Sequence, residues 1–139
     1  MTSMFDRANV WPHAKLLGAQ AVDFDEATQT ITMRFAAPPE FITPRGSVQG
    51  GLVAGFLDEA MGWAYTRATG GTHSPLMLDL NISLLKPVPE GPLLAKGRVV
   101  RAGRRVLFLE AELMLEDGTV LARSTSTAIP TENPGASAR

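Results

Sequence analysis

Asp58 is the residue of this chain best placed by type and spacing to do chemistry. It lies in the segment Arg45 to Gly70, RGSVQGGLVAGFLDEAMGWAYTRATG, seven positions after the second glycine of Gly50-Gly51. A carboxylate can serve as an acid/base group. A glycine pair opening a helix leaves N–H donors at the positive end of the helix dipole, where they can stabilise an oxyanion on a carbonyl. The positions that share a helical face with Asp58 are Gly51, Ala54, Gly55 and Gly62, all small. Each Gly costs a helix about 1 kcal/mol relative to Ala, so this face predicts close approach by a ligand or a second backbone. Glu59, the rival carboxylate, is turned about 100° away and is expected to be a structural or rim residue.

Geometry limits what one copy of this segment can do. With a rise of about 1.5 Å per residue, Asp58 stands roughly 10–12 Å along the axis from Gly50. One helix cannot present both groups to a single reacting atom. Two antiparallel helices from two subunits could.

The elements that must hold this segment follow from periodicity. Val53, Phe56, Leu57, Ala60, Met61 and Ala64 recur at helical spacing and predict one long helix over about Gly50–Thr69, ended by Gly70-Gly71. Before it, Leu17–Phe24 and Thr28–Ala36 read as two strands joined by the polar turn DEAT. A Pro-punctuated loop covers Ala37–Ser47, and Thr2–Lys15 is expected to be helical in part, limited by Pro12. After the helix, Leu78, Leu80, Ile82 and Leu84 alternate with Asp79, Asn81 and Ser83 as in a strand, their polar face assigned to the sheet or a subunit interface. Leu93–Ala102, Arg105–Leu115 and Thr119–Ile129 complete a meander, with turns at Gly103 and Glu116–Gly118. A broadly apolar helix followed by long antiparallel strands predicts an α+β fold in which a curved sheet wraps the helix. His73 is expected in a loop, and Trp63 and Tyr65 in the core or an interface.

Bulk properties narrow the function. The 139 residues suit one domain, 1–139, with 1–16 as an N-terminal segment and 130–139 as a mobile tail. A formal net charge of −1 argues against a nucleic-acid binder, and no apolar run could span a membrane. The first residues lack a basic-then-apolar leader pattern, so cytoplasmic is the expected location. The chain has no cysteine, which excludes disulfides and thiolate catalysis. Its two histidines, His13 and His73, are far apart and without a carboxylate motif, so neither a metal site nor a histidine beside Asp58 is expected.

From about Val22 to Ile129 the chain resembles the hotdog-fold acyl-CoA thioesterases of the phenylacetate-pathway (PaaI-like) type. Their signature is His-Gly-Gly followed, seven positions after the second Gly, by an acidic residue. Gly50-Gly51 and Asp58 match it, and LDLNISLLKPVPEGPLLAKGRVVRAGRRV resembles the downstream strands and Gly-Arg segment. The resemblance implies a helix wrapped by an antiparallel sheet, a homodimer joined edge to edge, often a homotetramer, and sites between subunits. It implies that Asp58 attacks the thioester or activates water. It implies that Gly50, from the partner subunit, donates its N–H to the thioester carbonyl. The substrate would be an acyl-CoA, with no metal or separate cofactor. An Asp of ordinary pKa, about 3.9, is ionised at neutral pH and serves either role without a histidine.

Three positions depart from the pattern. Gln49 stands where the family has His and can hydrogen-bond but not titrate near neutrality. Thr43 replaces an Asn or Gln of the preceding loop, and Met77 a polar residue near the catalytic water. Gly51, Thr43 and Met77 are assigned to substrate binding. Five of the chain's 13 basic residues fall between Lys96 and Arg105, and by resemblance Arg101, Arg104 and Arg105 would meet the CoA phosphates. The alternatives are an acyl-CoA-binding sensor or scavenger without turnover, and a hotdog dehydratase or hydratase.

Overall fold

A computed structural model describes residues 11–134. The chain runs α1 (Pro12–Leu17), β1 (Gln20–Asp25), β2 (Thr30–Ala37), a 3-10 turn (Pro39–Phe41), α2 (Gly50–Ala68), β3 (His73–Met77), β4 (Asn81–Leu84), β5 (Gly91–Ala102), β6 (Leu107–Met114) and β7 (Val120–Glu132). All pairings are antiparallel, in the order β1-β2-β5-β6-β7-β3, with β4 beside β3 on the same edge of β7. This is the expected α+β hotdog architecture, a curled sheet around one long helix.

The helix is held from several sides. Val53, Phe56, Leu57, Ala60, Met61 and Ala64 are all buried, and α2 packs on β5, β2, β6, β3 and β7. Phe56 anchors it, with ring centroids 5.2 Å from Phe35 and 6.1 Å from Phe41. The closest approach is made by β5, where Gly97 lies directly under the backbone of Ala60 and Met61. Strands β5 and β7, of 12 and 13 residues, reach far enough to curl. Register shifts at Ala21/Asp23, Val99/Arg101 and Leu113/Met114 help them bend.

Several elements differ from the sequence expectation. Leu17 ends α1 rather than opening a strand, because Gly18 adopts a left-handed cap with φ 66°. The alternating run at Leu78–Leu84 is not one strand. Here β3 ends at Met77, the Asp79 carboxylate accepts a 2.7 Å bond from Thr127 N, and β4 begins at Asn81. Its leucines do not enter the core: Leu78 and Leu84 are 61% and 57% exposed. His73 opens β3 instead of lying in a loop. The expected tail is strand through Glu132, since β3 pairs with residues 128–132 of β7. Residues 1–10 and 135–139, with the rest of the N-terminal and tail expectations, lie outside the described residues.

Candidate active site

Helix α2 places Asp58 and Gly50 in two different concavities. Asp58 lines a cleft of about 280 Å³ with Gly62, Trp63, Pro75 and Met77. Gly50 lines a groove of about 450 Å³ with Gln49, Thr43, Leu84 and Lys86. The predicted site residues thus separate into an Asp58–Met77 half and a Gly50–Gln49–Thr43 half. Arg101, near the end of β5, and Arg104 and Arg105, in the turn after it, are exposed and line neither one. Arg98, by contrast, is tied to Glu110 through Nε at 2.7 Å and Nη2 at 2.6 Å, a sheet-face pair.

The first turn of α2 is organised by Gln49. Its Oε1 and its main-chain carbonyl each accept from Leu52 N at 2.9 Å, and the carbonyl also accepts from Val53 N at 3.1 Å. The Gln49 side chain therefore caps the helix. It folds over Gly51, where an added Cβ would stand 2.9 Å from Oε1. The N–H groups of Gly50 and Gly51 have no acceptor among the described residues and remain at the positive helix end.

Around Asp58 the small-residue face is open rather than closely packed. A Cβ at Gly62 would meet nothing within 4 Å, and one at Gly55 only Leu17 Cδ2 at 3.8 Å. The close backbone approach occurs on another face, at Gly97. The Asp58 carboxyl is not at its ordinary pKa. Burial raises it, the Glu59 carboxylate adds to the rise, and His13 opposes it. Asp58 is exposed on the open side of the cleft, so the burial that raises its pKa is partial. Met77 is fixed from behind, its sulfur accepting a 2.9 Å bond from Ser126 Oγ.

A histidine does stand in the Asp58 cleft, contrary to expectation. Helix α1 and its N-cap Trp11 place His13 and Trp11 on the cleft rim, and His13 Nε2 lies 2.9 Å from Glu59 Oε1. Trp63 Nε1 donates to the other Glu59 oxygen at 3.1 Å. Glu59 is thus the structural residue its helical position predicted, though it faces the cleft. Trp63 is a half-buried cleft wall rather than core, while Tyr65 is buried as expected. No sequence signal could have paired His13 with Glu59, because 46 positions separate them.

No helix among the described residues is long and apolar enough to cross a membrane. Against known proteins, residues 45–122 match the model of the thioesterase superfamily. A phenylacetic acid degradation-related protein of Ralstonia eutropha JMP134 is 30% identical, with 90% of this chain and 98% of that one covered and a TM-score of 0.80. A Streptococcus mutans protein solved with acetyl CoA bound has the same fold at 20% identity, TM-score 0.71, covering 83% of this chain and 90% of that one. A protein of Saccharolobus solfataricus assigned as an esterase is 24% identical over 79% of this chain and 76% of its own. With more than half its length inside the family match, and with a PaaI-like hotdog architecture, this chain belongs to the thioesterase superfamily and is a thioester hydrolase.

Proposed function

We propose that this protein hydrolyses a small or medium acyl-CoA to the carboxylic acid and free CoA, at sites shared between two subunits. Asp58 of one subunit is the nucleophile or the general base. Gly50 of the partner subunit donates its N–H to the thioester carbonyl, beside Gln49 and Thr43. The observation that carries this reading is the separation of the two halves on one protomer, with Asp58 in one cleft and the uncommitted Gly50 N–H in another. An antiparallel pair of α2 helices brings each Asp58 to the other's Gly50. The Streptococcus mutans protein that holds acetyl CoA supports a CoA thioester as substrate. Gly51 and Met77 then border the acyl group, and Arg101, Arg104 and Arg105 meet the CoA phosphates. The reading needs no metal or further cofactor and assigns the enzyme to the cytoplasm, as a dimer that can pair into a tetramer.

Mixed subunits test it. Gly50→Pro deletes one N–H at the first helical position, where proline is tolerated, and Gln49 already has the extended backbone, ψ 135°, that precedes proline. Asp58→Asn removes the carboxylate. Each homodimer is expected to be inactive. Equal co-expression of the two should return about a quarter of wild-type CoA release, because half the dimers are mixed and each has one intact site. Absence of rescue in proven heterodimers refutes the shared site. A wild type that binds acyl-CoA but frees no CoA establishes a binder instead.

A further inference from the structure

We propose that His13, held by Glu59, is a further catalytic residue: it takes the proton from the water that hydrolyses an acyl group carried on Asp58. This rests on the function proposed above and adds a residue to it. Among the described residues, the titratable groups lining the Asp58 cleft are His13 from α1 and Asp58 and Glu59 from α2; β3 contributes Ser74, Pro75 and Met77, none of which titrates. Both Glu59 oxygens are occupied, one by Trp63 Nε1 and the other by His13 Nε2. An ionised carboxylate so placed only accepts, so the neutral form of His13 has its proton on Nε2 and its lone pair on Nδ1. Among the described residues Nδ1 has no partner. The Glu59 side chain is 15% exposed and that of His13 64%, so the anchor is sheltered while the base reaches water. Gln49, at the position where the signature has a histidine, is spent on capping and cannot titrate.

The proton inventory closes on this route. An Asp58 carboxylate oxygen bonds to the acyl carbon, the C–S bond breaks, and CoA leaves as thiolate. Water then gives a proton to His13 Nδ1 while its oxygen bonds to the acyl carbon. The bond from the acyl carbon to Asp58 breaks and restores the carboxylate. The imidazolium returns its proton to the thiolate, and the free acid ionises to solvent.

His13→Gln keeps an N–H donor for Glu59 but lacks a basic nitrogen, and His13→Ala leaves space for added imidazole. With acetyl-CoA, or another acyl-CoA that the wild type turns over, His13→Gln should lose at least about 100-fold in kcat. It should still release one CoA per site in a burst, with the acyl mass retained on the Asp58 peptide. Imidazole should restore His13→Ala. A His13→Gln kcat within about twofold of wild type overturns the proposal. So does a loss with no burst and no imidazole rescue, which marks His13 as a structural pin for α1. A wild type that frees no CoA from any acyl-CoA overturns the thioesterase reading itself, and this residue role with it.

Discussion

Gln49 folds its side chain over Gly51, where a Cβ would press on its Oε1, and caps the helix that carries Asp58. The two residues therefore act as a unit. Gln49→Ala removes the cap and should cost about 0.5–2 kcal/mol. Gly51→Ala should lose the same cap, because its methyl displaces the Gln49 amide, but cost less overall, since Ala gains up to about 1 kcal/mol of helix propensity over Gly. The double variant should cost little more than either single one, since both remove the same bond. Thermal denaturation of the three variants reads this directly, and strictly additive losses would show that the cap and the glycine are independent.

Asp58 places a charge where the fold disfavours it. Burial and Glu59 raise its pKa above the unfolded value, so the folded state binds the proton more tightly than the unfolded chain. The penalty is fully present above the raised folded pKa and disappears as pH falls to the unfolded value of about 3.9. Asp58→Asn should therefore raise the melting temperature at pH 7 while abolishing CoA release. The difference in melting temperature should shrink as pH is lowered toward 4. The acid limb of kcat in the wild type should also lie above the range of an ordinary aspartate. An Asp58→Asn protein less stable than wild type at pH 7 contradicts this account.

Much of this was legible before the structure. The helix over Gly50–Ala68 and its buried face announce themselves through period 3.6, and the β5–β6–β7 meander through period two and its turns. Leu78–Leu84 misled for a physical reason: alternation reports a sheet with one apolar face, not whether that face is covered within the chain. Here the leucines stay outside, and Asp79 breaks the strand by bonding to Thr127 N. The small residues around Asp58 predict a close approach that no backbone of the described chain makes there, and the tight backbone contact lies on another face of α2, at Gly97. His13 was invisible because only the tertiary fold lays α1 against Glu59.

Gly97 yields a sharp packing prediction. An alanine methyl there would overlap the carbonyl of Ala60, and backbone cannot swing aside as a side chain can. Gly97→Ala should cost about 1–3 kcal/mol or more, lowering the melting temperature by several degrees. The strain pushes α2 off β5 two residues from Asp58, so kcat should fall as well. A variant with unchanged melting temperature would mean that the helix and strand can separate freely.

The exposed leucines at the sheet edge give the last prediction. Leu76, Leu78, Leu84 and Leu85 are each more than half exposed, at 54%, 61%, 57% and 53%, and lie along the edge formed by β3, β4 and the residue after each. Leu84 and Leu85 also line the groove of Gly50, and Leu84 Cδ1 would lie 3.2 Å from a Cβ at Gly50. An edge strand with this much apolar surface invites pairing. If a second copy covers it, the same contact that hides the leucines assembles the two halves of the site. Leu78→Glu would bring two like charges to a symmetric interface while leaving the core untouched. Sedimentation velocity should show a shift from dimer to monomer with circular dichroism unchanged, and CoA release should fall in proportion to the dimer lost. A Leu78→Glu monomer with full activity would separate assembly from catalysis and return both halves of the site to one chain.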